Sequence, residues 1–275
     1  MKNKFIPIRS DIIFRIFFAD ERNLEELTAF LKSVVRLPDE DYEVIEISDP
    51  HLLPDFKDGK FAVIDVKIKT KTDKTIHIEI QLQVTAQLRS RIVFYSAKLL
   101  SEQMGSGDKY DKVRKVISIL ITEEKLVPNS DKYHHCFTMR DSDNGVELTD
   151  LIEIHTLELI KIPPASDGTQ LYDWVSFIAA DSEEELAMIA ERNPQVGKAV
   201  MKYKVLSADE RTRDLYERQE KARRDALMFM DDAIMKKQLE IARRLLMRNR
   251  PIEEIIEDTG LALEDIETLR NENQI

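Results

Sequence analysis

Two carboxylates and an amide stand where their spacing allows chemistry: Asp65, Glu79 and Gln81. Residues 60–69 (Lys-Phe-Ala-Val-Ile-Asp-Val-Lys-Ile-Lys) and 75–83 (Thr-Ile-His-Ile-Glu-Ile-Gln-Leu-Gln) alternate with period two and are rich in β-branched residues. That is the pattern of two strands. The polar stretch Lys71-Thr72-Asp73-Lys74 between them predicts an antiparallel hairpin. With Ala62, Ile64, Val66 and Ile68 on one strand and Ile76, Ile78, Ile80 and Leu82 on the other turned to a core, Asp65, Glu79 and Gln81 share the opposite side. Two carboxylates converging from neighbouring strands supply hard oxygen donors of the kind that hold Mg²⁺. The competing interpretation is a solvated polar sheet face. Against it, Asp is disfavoured inside strands, yet Asp65 sits between Ile64 and Val66. Lys67 and Lys69 continue the same face and suit a polyanion.

The elements that must position these groups follow in chain order. Residues 10–36 predict a helix capped by Ser10 or Asp11, with an apolar stripe through Ile13, Phe14, Phe17, Leu24, Leu27, Phe30, Leu31 and Val34 and a break near Asp20–Asn23. Residues 42–49 alternate as a strand, and Asp58-Gly59 predicts a turn before the strand bearing Asp65. A second helix is expected over residues 85–104, with Leu88, Ile92, Tyr95 and Leu99 on one stripe and Gly105 as its C-cap. Arg91 and Lys98 flank Tyr95 on one side of it, close enough to meet a phosphate if the helix packs beside the hairpin. Val116–Ile121 is a continuous apolar run, as in a buried central strand, and residues 133–140 and 151–162 give two more strands.

His134, His135, Cys136 and His155 invite a zinc interpretation. Adjacent histidines on a strand point to opposite faces and no second cysteine exists, so a core or edge-strand role is the better expectation. Pro163-Pro164-Ala165-Ser166-Asp167-Gly168 is the clearest linker, and helix formers dominate beyond it. Leu171, Trp174, Phe177 and Ile178 predict a packing face. Residues 207–249 form a charge-laced helical pattern in which Tyr216, Leu227, Met230, Ile234, Leu239 and Leu246 suit an intrachain cover or a dimer seam. The tail resembles a helix-turn-helix around Asp258-Thr259-Gly260-Leu261, with Pro251 starting its first helix. Its second helix offers Glu264, Asp265 and Glu267, which repel phosphate, so packing or self-association is the expected role.

Composition bounds the rest. A chain of 275 residues, 43% hydrophobic and 34% charged, can bury one sizeable core plus an appendage and reads as a soluble globular protein. No apolar run approaches the roughly 18 residues of a membrane helix and no signal-peptide core follows Met1. The single cysteine excludes an internal disulfide and fits a reducing, cytoplasmic setting. A net charge of −11 argues against a general polyanion binder, so any nucleic-acid contact must be local.

In this order, the motifs resemble the PD-(D/E)XK nucleases, and more narrowly their Rpn-type, transposase-related branch. The carrying segments are Asp11-x-x-Phe14-Arg15, Asp55-Phe56-x-x-Gly59-Lys60, Ile64-Asp65-Val66, Ile78-Glu79-Ile80-Gln81, Arg91-x-x-x-Tyr95-x-x-Lys98 and Gly107-Asp108-x-Tyr110. Pro54-Asp55, a literal Pro-Asp, is a decoy by its position before the turn. The departure is Gln81, where most of the superfamily has Lys. The resemblance implies an α/β fold: a mixed sheet flanked by helices over residues 1–165, with an α-helical region over 166–275. It further implies metal-dependent cleavage of DNA, linked to recombination, mobile elements or phage defence. Asp65, Glu79 and the Ile80 carbonyl would hold Mg²⁺, or Mn²⁺ in its place, and Gln81 would orient the attacking water. Arg91, Tyr95 and Lys98 would contact the DNA backbone, and Asp11, Glu25 or Glu26 would add a first-helix acid. A homo-oligomer, as a dimer, is the expected assembly. The alternative is a catalytically decayed core that binds nucleic acid or a protein partner.

Overall fold

Among the described residues, six strands form one mixed sheet in the order β1 (Glu46–Ser48), β2 (Val66–Lys69), β3 (Thr75–Gln81), β4 (Val116–Thr122), β6 (Glu147–Glu158) and β5 (His134–Arg140). The computed structural model describes residues 5–42, 46–48 and 66–272. The expected turn at Asp58-Gly59, the Pro54-Asp55 pair and Asp65 lie outside them. β3, β4 and β6 run parallel in the middle, while β1 and β2 on one side and β5 on the other are antiparallel to their neighbours. Parallel neighbours need a crossover, and a helix supplies it between β3 and β4. Both faces are thereby covered, which is why β4 reads as an unbroken apolar run, Val-Ile-Ser-Ile-Leu-Ile-Thr, buried at every position.

The hairpin expected from residues 71–74 is present: β2 and β3 pair from Val66↔Ile78 to Lys69↔Thr75. Its turn is tied down from a distance. The buried Asp41 carboxylate accepts hydrogen bonds from Lys74 Nζ at 2.6 Å, from Thr70 Oγ1 at 3.3 Å and from Thr72. Asp73 takes a left-handed backbone, φ 61°, which Asp tolerates better than most residues.

One face of the sheet packs on the first helical segment, which breaks where expected into α1 (Asp11–Phe18) and α2 (Leu24–Val34) around a short 3₁₀ turn at Glu21–Asn23. The Asp20 side chain caps that turn by accepting from Arg22 N–H. Phe14, Phe17, Phe18, Leu27, Phe30 and Leu31 join Ile76, Ile78, Ile80, Ile117, Ile119 and Ile121 in one core. The opposite face is covered by α3 (Leu88–Ser101), whose stripe of Leu88, Ile92, Tyr95 and Leu99 is buried as expected. α3 ends at Glu102 in a helical conformation rather than at Gly105: Glu102 N–H bonds back to the Lys98 and Leu100 carbonyls, so no left-handed residue is needed there.

After the Pro163-Pro164 segment come α4 (Gln170–Ala179), α5 (Glu183–Arg192) and α6 (Pro194–Ala208), capped by the Thr169, Ser182 and Asn193 side chains. Leu171, Trp174, Phe177 and Ile178 of α4 enter the same core as the sheet, with Val196, Ala199, Val200 and Tyr203 of α6. Removing the fully buried Trp174 would cost about 3–5 kcal/mol.

The chain divides into two compact units, Met1–Tyr216 and Glu217–Ile275. In the second, the end of α7 (Glu210–Met247) packs with α8 (Ile252–Thr259) and α9 (Leu263–Glu272) around Ala242, Leu246, Ile255, Leu261, Ile266 and Leu269. Gly260, φ 69°, closes α8 in the left-handed conformation that favours glycine.

Candidate active site

β3 carries two rows of side chains, and its parallel pairing to β4 decides what each row meets. Partners in a ladder project to the same side. Lys67↔His77 on β2–β3, and His77↔Ser118, Glu79↔Leu120 and Gln81↔Thr122 on β3–β4, therefore share the face beneath α3. α3 is fixed to that face by Leu88 and Ile92 packing with Leu120, by Leu99 against Val116, and by a 2.7 Å hydrogen bond between the Ser96 and Ser118 hydroxyls. The polar row is thus no solvated face. Glu79 is 6% exposed and His77 is fully buried.

Arg91, on the first turns of α3, points back at this row. Its guanidinium forms an ion pair with Glu79 Oε1 and donates to Gln81 Oε1 at 2.7 Å. Burial raises the Glu79 carboxyl above the usual carboxylate range, the negative charge of Asp11 adds to the rise, and Arg91 only partly opposes it. His77 lies alongside, Nε2 3.9 Å from Glu79 Oε2, and neither ring nitrogen has a hydrogen-bond partner among the described residues. Burial, aided by the charges of Lys67 and Arg91, pushes His77 down to about 4, so its imidazole is neutral at physiological pH.

The structure brings together some of the expected residues and separates others. Glu79, Gln81 and Arg91 converge. Ile80 is buried in the core on the other face and pairs with Ile121 of β4 in the ladder. Tyr95 is buried within the α3 seam, and Lys98 lies 4.0 Å from Glu102 on its own helix. Among the three first-helix acids, Glu25 pairs with Lys198 at 2.8 Å and Glu26 with Lys202 at 2.6 Å, both on α6. Asp11 is the one whose charge acts on Glu79. Asp65 immediately precedes Val66, which pairs with Ile78 next to Glu79, and itself lies outside the described residues.

A family model described as PD-(D/E)XK nuclease family transposase matches residues 8–233. The chain belongs to this family. Neither a curated protein nor a solved structure matches it. The matched span of this PD-(D/E)XK family member takes in the whole sheet, α1 to α6 and the Glu79 row. Nucleases of this kind typically use divalent metals, and the residues beneath α3 fit one. The Glu79 carboxylate and the Gln81 amide oxygen already converge on a single cation, the Arg91 guanidinium, and both are the hard oxygen donors such ions take.

Sequence reasoning did not single out His77, although it falls in the same alternating row as Glu79. Its burial depends on α3 lying over it, which periodicity within β3 cannot show. Of the histidines and cysteine that invited a zinc interpretation, Cys136 and His155 do gather where β5 meets β6, joined by Glu153, which the sequence did not single out. His134 and His135, adjacent on one strand, point to opposite faces. The group arises instead from the cross-strand pairing Cys136↔His155 and from Glu153, two residues before His155, which no single strand pattern encodes.

Proposed function

We propose that this chain is a metal-dependent DNA endonuclease whose reaction takes place at the Glu79 row beneath α3. The observation that carries this reading is the buried, raised Glu79 carboxyl facing Gln81 and bridged to it by one mobile-length cation, Arg91. A carboxylate kept out of water is costly for a merely structural sheet face even beside a cation, and groups with perturbed titration cluster at working sites.

Asp65, Glu79 and the Ile80 carbonyl would hold Mg²⁺ or Mn²⁺. The chemistry a bound divalent ion supplies is polarisation of the scissile phosphate and a lower pKa for its water. Gln81 would accept a hydrogen bond from the attacking water and so aim it, since an amide orients but carries no ammonium charge. Arg91, exchanging Glu79 for substrate, would donate its planar fork to the phosphate oxygens as charge develops there. Lys67, across the ladder from His77, adds a second cation on the same face. Neutral His77 fixes the floor beside Glu79 without adding a competing charge. Self-association through α7 would fit its exposed Leu227, Met230 and Ile234.

The ion pair that closes Glu79 also favours a second reading, a decayed core that binds DNA or protein without cutting it. Plasmid cleavage with Mg²⁺ and with Mn²⁺, alongside calorimetry of metal binding, separates the two. Metal binding and nicking, both lost in Glu79→Ala, support the endonuclease. DNA binding without any metal uptake or cleavage supports the decayed core.

A further inference from the structure

Across the sheet from Glu79, β6 presents a different set of donors. Glu153 pairs with Ile117 and His155 with Ile119 on β4, and those isoleucines face α1 and α2. Cys136 on the edge strand β5 pairs with His155, so its side chain projects to the same side. One ligand atom from each of Cys136, Glu153 and His155 lies within 4.8 Å of the others. Zn²⁺ bonds of about 2.0–2.3 Å at tetrahedral angles place ligand atoms roughly 3.3–3.7 Å apart, so small side-chain rotations close this set.

The surroundings resemble a prepared site. His155 is buried, with Nε2 2.7 Å from Glu153 Oε1 and Nδ1 2.9 Å from His134 Nε2. The two imidazoles are stacked, ring centroids 5.2 Å apart. Metal-bound histidines commonly give their second ring N–H to such a partner, which fixes tautomer and orientation. Lys115 Nζ holds the other Glu153 oxygen at 2.7 Å, leaving Oε1 toward His155 and Cys136.

We propose that Cys136 Sγ, Glu153 Oε1 and His155 Nε2 form a Zn²⁺ site, with His134 as the positioning residue behind His155. The mixed thiolate, imidazole and carboxylate set selects a borderline-soft transition metal over Mg²⁺ or Ca²⁺. Three protein ligands leave a fourth position for water. The ion would staple the edge strand β5 to β6, across the sheet from the hard-oxygen row of Glu79, so the two metals would differ in both place and kind.

Cobalt substitution of the full chain tests this. Co²⁺ should bind with a thiolate-to-metal charge-transfer band, which here can arise only from Cys136, the sole cysteine. Zn²⁺ should abolish the band by displacement. Cys136→Ser should remove it and weaken Zn²⁺ binding at least tenfold, with Mg²⁺-dependent cleavage unchanged. His134→Ala should weaken Zn²⁺ binding by about 10–100-fold while keeping the band. In the unsubstituted protein, Zn²⁺ should protect Cys136 from alkylation by iodoacetamide. Co²⁺ uptake without the band, Zn²⁺ affinity unaltered in Cys136→Ser, or an alkylation rate indifferent to Zn²⁺ would each overturn the site. The band, the Zn²⁺ affinity and the alkylation rate are read without any DNA cleavage, so their failure is distinct from failure of the endonuclease reading.

Discussion

The same sheet carries two polar rows, His77-Glu79-Gln81 on β3 and Glu153-His155 with Cys136 on β6 and β5, and they are built on opposite principles. On β6, Glu153 has fixed neighbours: burial would raise it, but hydrogen bonds from His155 and Lys115 hold its carboxyl well below the usual range. On β3, Glu79 stays raised despite Arg91, and neither ring nitrogen of His77 has a hydrogen-bond partner among the described residues. Each unsatisfied buried polar group costs about 1–3 kcal/mol. The difference is why the proposed reaction is placed at the row whose carboxyl stays raised despite its cation. The well-paired row suits a structural ion.

The largest effect should come from the incomplete row. Glu79→Ala should lower metal-dependent cleavage by more than the roughly 100-fold that follows loss of an outer metal partner, with the fold retained by circular dichroism. An active Glu79→Ala protein at limiting Mg²⁺ would erase the contrast between the rows. Arg91→Ala should divide binding from catalysis. With its guanidinium gone from Glu79, Mg²⁺ should bind more tightly by calorimetry, while kcat falls about 10²–10³-fold through loss of a phosphate donor. Weaker Mg²⁺ binding would instead make Arg91 part of the metal's support.

The pH dependence of stability sharpens the same comparison. His77 is depressed to about 4 from an ordinary value near 6.5. Its contribution is therefore complete above about 6.5 and is lost as pH falls toward 4, roughly 3 kcal/mol in all. Glu79 is raised, so its contribution runs the other way: present below the ordinary carboxylate range and lost as pH climbs through its folded value. Urea unfolding of His77→Leu should show a smaller loss between pH 6.5 and 4 than the parent protein. An identical acid limb in both would assign that loss to other groups.

Smaller effects are expected from two further changes. Gln81→Lys should keep cleavage within about tenfold of the parent, because the ammonium can reach a phosphate from the same strand position; plasmid nicking measures this. Deleting residues 251–275 should leave DNA affinity and its salt slope nearly unchanged, since α9 presents Glu264 and Asp265 in its first turn. A flatter salt dependence would show that this segment touches phosphate.

Local pattern made much of this legible. The β2–β3 hairpin, the break at Asp20–Asn23, the buried stripe of α3 and the helices around Gly260 each depend on residues close in sequence, and periodicity or a turn residue encodes them. Glu79 and Gln81 were visible for the same reason, because one strand carries both. What pattern could not supply was pairing between distant segments. The Arg91–Glu79 ion pair required α3 to lie over β3, and the ion pairs of Glu25 and Glu26 required α6, some 170 residues away, to present Lys198 and Lys202. The Cys136–Glu153–His155 group depended on a β5–β6 register containing a shift after Thr138, which no single stretch encodes.

The central claim is that the Glu79 row works only with a divalent ion. Its most direct measurement is supercoiled-plasmid nicking across a Mg²⁺ titration, run in parallel for the parent protein and for Glu79→Gln, which keeps the shape and removes the charge. The account predicts saturable Mg²⁺-dependent nicking by the parent, abolished by chelator, and none by Glu79→Gln at any Mg²⁺ concentration. Equal nicking by both proteins, or nicking that persists in chelator, would contradict it.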